Sequence, residues 1–213
     1  MPDSDEGQMY QVGPDDCISS IAQSFGFLWK TLWFHPNNAD LRALRKDPNV
    51  LMEGDQIFIP TKGGKQESKP TDGTHSFVRK GVPAKLRLRL MKDNEPRANQ
   101  PYVLTIDANI LNGTTDGDGK IEIFIPPGAQ SGRIRVGQGS DQQSFDLDLG
   151  HMNPVTETNG VIQRLENLGY HCGLDKQTGW KRALRSFQAD NNLPTDAGLD
   201  EATKTKLVEV HGC

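Results

Sequence analysis

The stretch Thr61-Lys62-Gly63-Gly64-Lys65-Gln66-Glu67-Ser68-Lys69-Pro70-Thr71-Asp72-Gly73-Thr74 contains no large apolar residue. A continuous hydrophobic core cannot be carried through such a segment, because ordering it costs conformational entropy that no apolar burial offsets. It reads as a linker. A second, shorter break falls at Gly150-His151-Met152-Asn153-Pro154. The chain is therefore expected to be multi-domain α+β, with domains at 8–60, 75–150 and 151–213 and a linker at 61–74. Composition points the same way: 34% hydrophobic residues with 22 Gly and 13 Pro among 213 residues supply several small cores better than one large one.

Charge and hydropathy narrow the partners. The formal net charge is −4 and no segment is strongly basic, which disfavours binding to a nucleic-acid backbone. No apolar run approaches the roughly 18–20 residues of a membrane helix. The first residues, Met1-Pro2-Asp3-Ser4-Asp5-Glu6, lack the basic start and apolar stretch of a secretory signal. The expectation is a protein made in the cytoplasm without a signal peptide. Three scattered cysteines do not make a disulfide framework or a zinc site. Cys172 and Cys213 can pair in a disulfide only if the last segment folds back on itself.

In the first segment a strand is expected at Met9–Val12, followed by a turn at Gly13–Asp16. Asp15 or Asp16 is placed to cap a helix that starts near Cys17. Ile18, Ile21, Ala22 and Phe25 fall on one helical face, and Gly26 ends it. Phe27–Phe34 supplies a second helix ended by Pro36, with Trp29 and Trp33 read as core. A closing strand follows Gly54-Asp55, and Ala39–Arg45 offers an extra helical turn.

These residues, Val12, Asp16, Ile18, Ile21-Ala22, Phe25-Gly26 and then Gly54-Asp55-x-Ile57-x-Ile59-Pro60, resemble a LysM domain. The resemblance implies a βααβ fold that binds N-acetylglucosamine polymers such as peptidoglycan. Carried over by motif, one wall of its groove is Asp15, Asp16, Cys17 and Ile18, and the other is Val50, Leu51 and Met52. The family's Gly-Asp-Thr is Asp15-Asp16-Cys17 in this chain.

The middle segment alternates apolar and polar residues at Ala84–Leu90, Tyr102–Ile106, Lys120–Ile125, Arg133–Val136 and Phe145–Leu149, the pattern of a small antiparallel β-sandwich. Arg87, Arg89, Arg133 and Arg135 can share one sheet face, either simply solvated or turned to an acidic partner. Asp116-x-Asp118 has the start of a calcium loop, but Lys120 places a cation at a ligand position, so a plain hairpin turn is expected.

The last segment shows three helical patterns. They are Val161, Leu165 and Leu168 stopped by Gly169; Ala183, Leu184 and Phe187 within about Thr178–Asn191; and Ala202, Leu207 and Val210. Together with Tyr170, Asp175, Gln188 and Leu193-Pro194, these residues resemble the type 1 peptidoglycan-binding three-helix domain. That resemblance makes Tyr170, Trp180, Gln188 and Asp190 the candidates for ligand contact.

Chemistry of bond making finds no support. The five histidines are dispersed, and no Gly-x-Ser-x-Gly elbow, metal-protease motif or phosphate loop is present, so no catalytic residue, metal or cofactor is expected. The whole chain resembles proteins that accompany the spike and tip of type VI secretion and related contractile injection systems. The implied function is non-catalytic peptidoglycan binding, with a spike, tip or effector protein as a further partner and delivery to the periplasm by the apparatus. The alternative is an adaptor, chaperone or immunity-type protein that keeps these folds without glycan binding.

Overall fold

The computed structural model describes residues 6–63, 71–74, 84–93, 95–196 and 198–212. The fold is α+β, with helices and several small antiparallel sheets. By spatial contact the described residues form two compact units. One holds residues 6–10, 18–37 and the described part of 58–150; the other holds 11–17, 38–57 and the described part of 151–213. Half of the stretch expected to be a linker, residues 64–70, and Cys213 with its expected disulfide lie outside the described residues.

The first sixty residues run β1 (Gly7–Gln11), α1 (Ile18–Ser24), α2 (Trp29–Trp33), a 3₁₀ turn (Pro36–Asn38), α3 (Ala39–Arg45) and β2 (Gln56–Pro60). β1 begins two residues earlier than the sequence pattern indicates and pairs with β2. α1 stops where expected. Gly26 adopts φ +69°, a conformation open to glycine at little cost, and the Phe27 amide reaches back to Ala22 O at 2.7 Å. The stretch read as one extra turn is a full helix, α3, so a third helix stands between the expected pair and the closing strand. Leu32 and Trp33 are buried, whereas Trp29 is only half-buried, against the exposed Phe34.

In the first unit the strands are β3 (Ala84–Arg89), β4 (Met91–Lys92), β5 (Glu95–Pro96), β6 (Pro101–Ile106), β7 (Asn109–Thr114), β8 (Lys120–Ile125), β9 (Ser131–Val136) and β10 (Gln143–Asp148). A four-stranded antiparallel sheet has the order β10-β9-β6-β7, and β3 pairs with β8. Register aligns Leu104 with both Ile134 and Leu111, and Leu86 with Ile123. Both sheets supply one core of Leu86, Tyr102, Leu104, Ile106, Ile121, Ile134 and Val136. β7 is an element that the sequence pattern does not announce. Its Gly113 is covered by the Tyr102 ring, and a Cβ there would collide with the phenol.

The four arginines divide between the two sheets. Arg87 and Lys85 bind Glu122, whose carboxyl is drawn down to about 2 by those two cations, while Arg133 on β9 pairs with Asp146 at 2.6 Å. Arg97, nearly fully buried, donates to Gln143 Oε1 and to Asp141 O and Oδ2, both at 2.8 Å, and so ties β10 to the turn before β6.

In the second unit α4 (Thr158–Asn167), α5 (Lys176–Asp190) and α6 (Glu201–His211) share a core of Val161, Leu165, Phe187 and Leu207, each fully buried. Asp175 and Asp200 cap α5 and α6 through the amides of Gln177 and Thr203. On α6 the inward residues are Thr203 and Leu207, whereas Ala202 and Val210 face solvent.

Candidate functional site

The first loop and the segment before β2 carry the positions matched to the LysM groove. Their apolar members are core: Cys17, Ile18, Val50 and Leu51 are each at most 5% exposed. Asp15 is exposed, and Asp16 and Met52 are half-buried. Asp16 turns its carboxylate back on the Gly13 amide at 3.0 Å, which closes the turn locally. In the second unit Arg45 forks onto Asp55 at 2.6 and 2.8 Å, and Asp55 Oδ2 accepts the Met52 amide at 2.9 Å. This buried pair fixes the backbone of 52–55. Asp55 is visible in the sequence as part of Gly54-Asp55, but its anchoring role is set by α3.

The hairpin at Thr115–Lys120 spends its acidic groups on itself. Asp116 Oδ1 accepts the amides of Asp118 and Lys120, and Lys120 Nζ pairs with Asp118 at 2.9 Å. Among the described residues no group of three or more His, Cys, Asp or Glu is placed to hold a metal ion, and no helix is long and apolar enough to cross a membrane.

The C-terminal candidates separate into two pairs. Tyr170 and Asp190 meet each other: the phenol donates to Asp190 Oδ2 at 3.0 Å, and its ring stands edge-on to Phe187 at 5.6 Å. Burial first, then the Asp190 carboxylate, pushes the Tyr170 phenol up to about 12. The Cys172 sulfur is buried; burial first, then the nearby Glu166 carboxylate, push its thiol up to about 11. At neutral pH it is an inert thiol.

Trp180 and Gln188 line an open pocket of about 610 Å³, within the range of about 300–1,000 Å³ typical of small-ligand sites. One side is a face of α5. Positions 180, 184 and 188 recur every four residues, and Lys181 and Arg185 flank them. The other side is the loop with Thr195, Asp196, Gly198 and Leu199. Gln188 is fully buried. Its Nε2 donates to Gly198 O at 2.6 Å and Thr203 Oγ1 at 3.1 Å, holding the loop against α5 and α6. That contact fixes the amide orientation, since the reverse would set two oxygens against each other. Among the described residues no donor reaches the buried Gln188 Oε1, a condition that costs free energy.

Sequence reasoning missed Lys181, Arg185, Thr195 and Asp196. The signal for the first two is the helical spacing from Trp180, which places 181, 184, 185 and 188 on the same face. The loop residues carry no signal of their own. No protein-family model, curated protein or solved structure matches this chain.

Proposed function

We propose that this chain is a non-catalytic cell-wall-binding protein that engages peptidoglycan through the α5 pocket, as an accessory component of a contractile injection system. One observation carries the reading: a ligand-sized pocket that joins an indole, two cations and a buried, unsatisfied acceptor, Gln188 Oε1. Trp180 offers an apolar face to the C–H face of a sugar ring or to a peptide side chain. The polar groups suit a ligand rich in amides, hydroxyls and carboxylates, as peptidoglycan is. Its resemblance to wall-binding and injection-system proteins supports the same reading. Sedimentation of the full chain with purified sacculi tests it: the protein is expected in the pellet, and recovery in the supernatant alone sinks the proposal.

The second reading, a protein-binding adaptor, is favoured by Leu28 and Phe34, which are 52% and 60% exposed beside half-buried Trp29. Grouped exposed apolar side chains favour contact with another protein. This reading expects a complex with a spike or effector protein that survives gel filtration and is lost in Leu28→Ser/Phe34→Ser.

A further inference from the structure

We infer that the α5 pocket recognises the free carboxylate end of a short peptide, not an uncharged sugar alone. The inference rests on the wall-binding reading and names the part of the polymer that is read. Lys181 and Arg185 lie four residues apart at the pocket, and both are exposed. Neither side chain makes an ion pair or hydrogen bond with another described residue. Of the other cations of the last segment, Lys204 pairs with Glu201, Lys206 with Glu209 and Lys176 with Glu166, while Arg182 on α5 makes no ion pair with a described residue and does not line the pocket.

The lining holds one acid, Asp196, against these two cations. The local balance is therefore positive in a chain whose net charge is −4. A guanidinium and an ammonium set one turn apart can clasp a carboxylate, the first through two parallel N–H donors. A neutral glycan offers such a pair only hydroxyl and acetamido oxygens, weaker acceptors than a carboxylate.

Gln188 Oε1 adds the second half of the recognition. It is an acceptor held in place from its own Nε2, it has no donor among the described residues, and it is closed to solvent until a ligand displaces what covers it. A peptide presents an amide N–H close to its terminal carboxylate, whereas an inorganic anion or a fatty acid does not. Asp196 is available for a further amide or ammonium group. Trp180 and Leu184 supply the apolar floor for a side chain between these polar ends.

The test uses the full chain and three ligands: a disaccharide–tripeptide muropeptide made from sacculi, the same molecule with its carboxyl groups amidated, and the uncharged N-acetylglucosamine disaccharide, which carries no carboxyl group. Calorimetric titration is expected to show the free-acid form bound about tenfold or more tightly than the amide, with no heat from the disaccharide. Lys181→Gln/Arg185→Gln, which alters only exposed side chains, is expected to lose the free-acid preference while its circular dichroism is unchanged. Equal binding of acid and amide, binding of the disaccharide as tight as the muropeptide, or an unaltered preference in the double variant overturns the carboxylate assignment. Sacculus sedimentation separates the two failures. A chain that pellets without discriminating acid from amide keeps the wall-binding reading and loses this inference. A chain that does not pellet loses the reading, while acid-over-amide binding would still support the carboxylate pocket.

Discussion

Tyr170 shows how a single side chain differs between its sequence and its structural reading. An aromatic residue just after a helix is a fair ligand-contact candidate, yet its hydroxyl is engaged by Asp190 and its ring by Phe187. Those partners lie on another helix, one turn apart, and no local pattern around Tyr170 reveals them. The consequence is measurable in alkali. The folded phenol titrates near 12 against an ordinary value of 10.0. Its neutral form is therefore favoured by folding, so this contribution to stability is fully present below the unfolded value and is lost as pH rises through about 12. The phenolate absorbance of the parent minus that of Tyr170→Phe should show one late-titrating group. A difference curve centred near 10 would mean that burial and Asp190 do not protect it.

At the scale of elements, the strands differ in how far their own residues determine them. β6 alternates half-buried and buried residues along its whole length, and so its pattern is legible without its neighbours. β7 carries two asparagines and a glycine and is made a strand by its register with β6, which the sequence does not print. α1, α2 and α3 have seven, five and seven residues. Helices so short are held by tertiary packing rather than by propensity, and α2 is accordingly shorter at both ends than the expected Phe27–Phe34, while α1 and α3 keep close to their expected bounds. The sheet gives a graded test. Ile134 is fully buried in β9, whereas Ile110 in β7 is 66% exposed. Urea denaturation should show Ile134→Ala losing about 2–5 kcal/mol and Ile110→Ala changing stability by no more than about 0.5 kcal/mol. Equal losses would place Ile110 inside the core and contradict the register.

For the whole molecule, the sequence reveals that the apolar residues are grouped in small sets, and three helical patterns after Gly150 are sufficient to find α4, α5 and α6. It does not reveal which distant stretches join them: residues 11–17 and 38–57 belong to the same compact unit as 151–213, a grouping made in space by chain return. The pocket has the same mixed legibility. Its α5 face follows from helical spacing, but its opposite wall is a loop fixed by the Gln188 amide and Gly198 O. A core assembled from one to three side chains per helix should fail as a unit. Phe187 is fully buried and packs in a cluster with Val161 and Leu165 of α4 and Leu207 of α6. Phe187→Ala removes an aromatic ring that α4, α5 and α6 all use, at a cost of about 3–5 kcal/mol. That loss is comparable with the whole stability of a small domain, about 5–15 kcal/mol. Amide hydrogen exchange should therefore accelerate together in α4, α5 and α6. Retained protection in α4 or α6 while α5 exchanges freely would show that the three helices do not depend on one core, and the pocket built on α5 could then not be treated as part of a rigid frame.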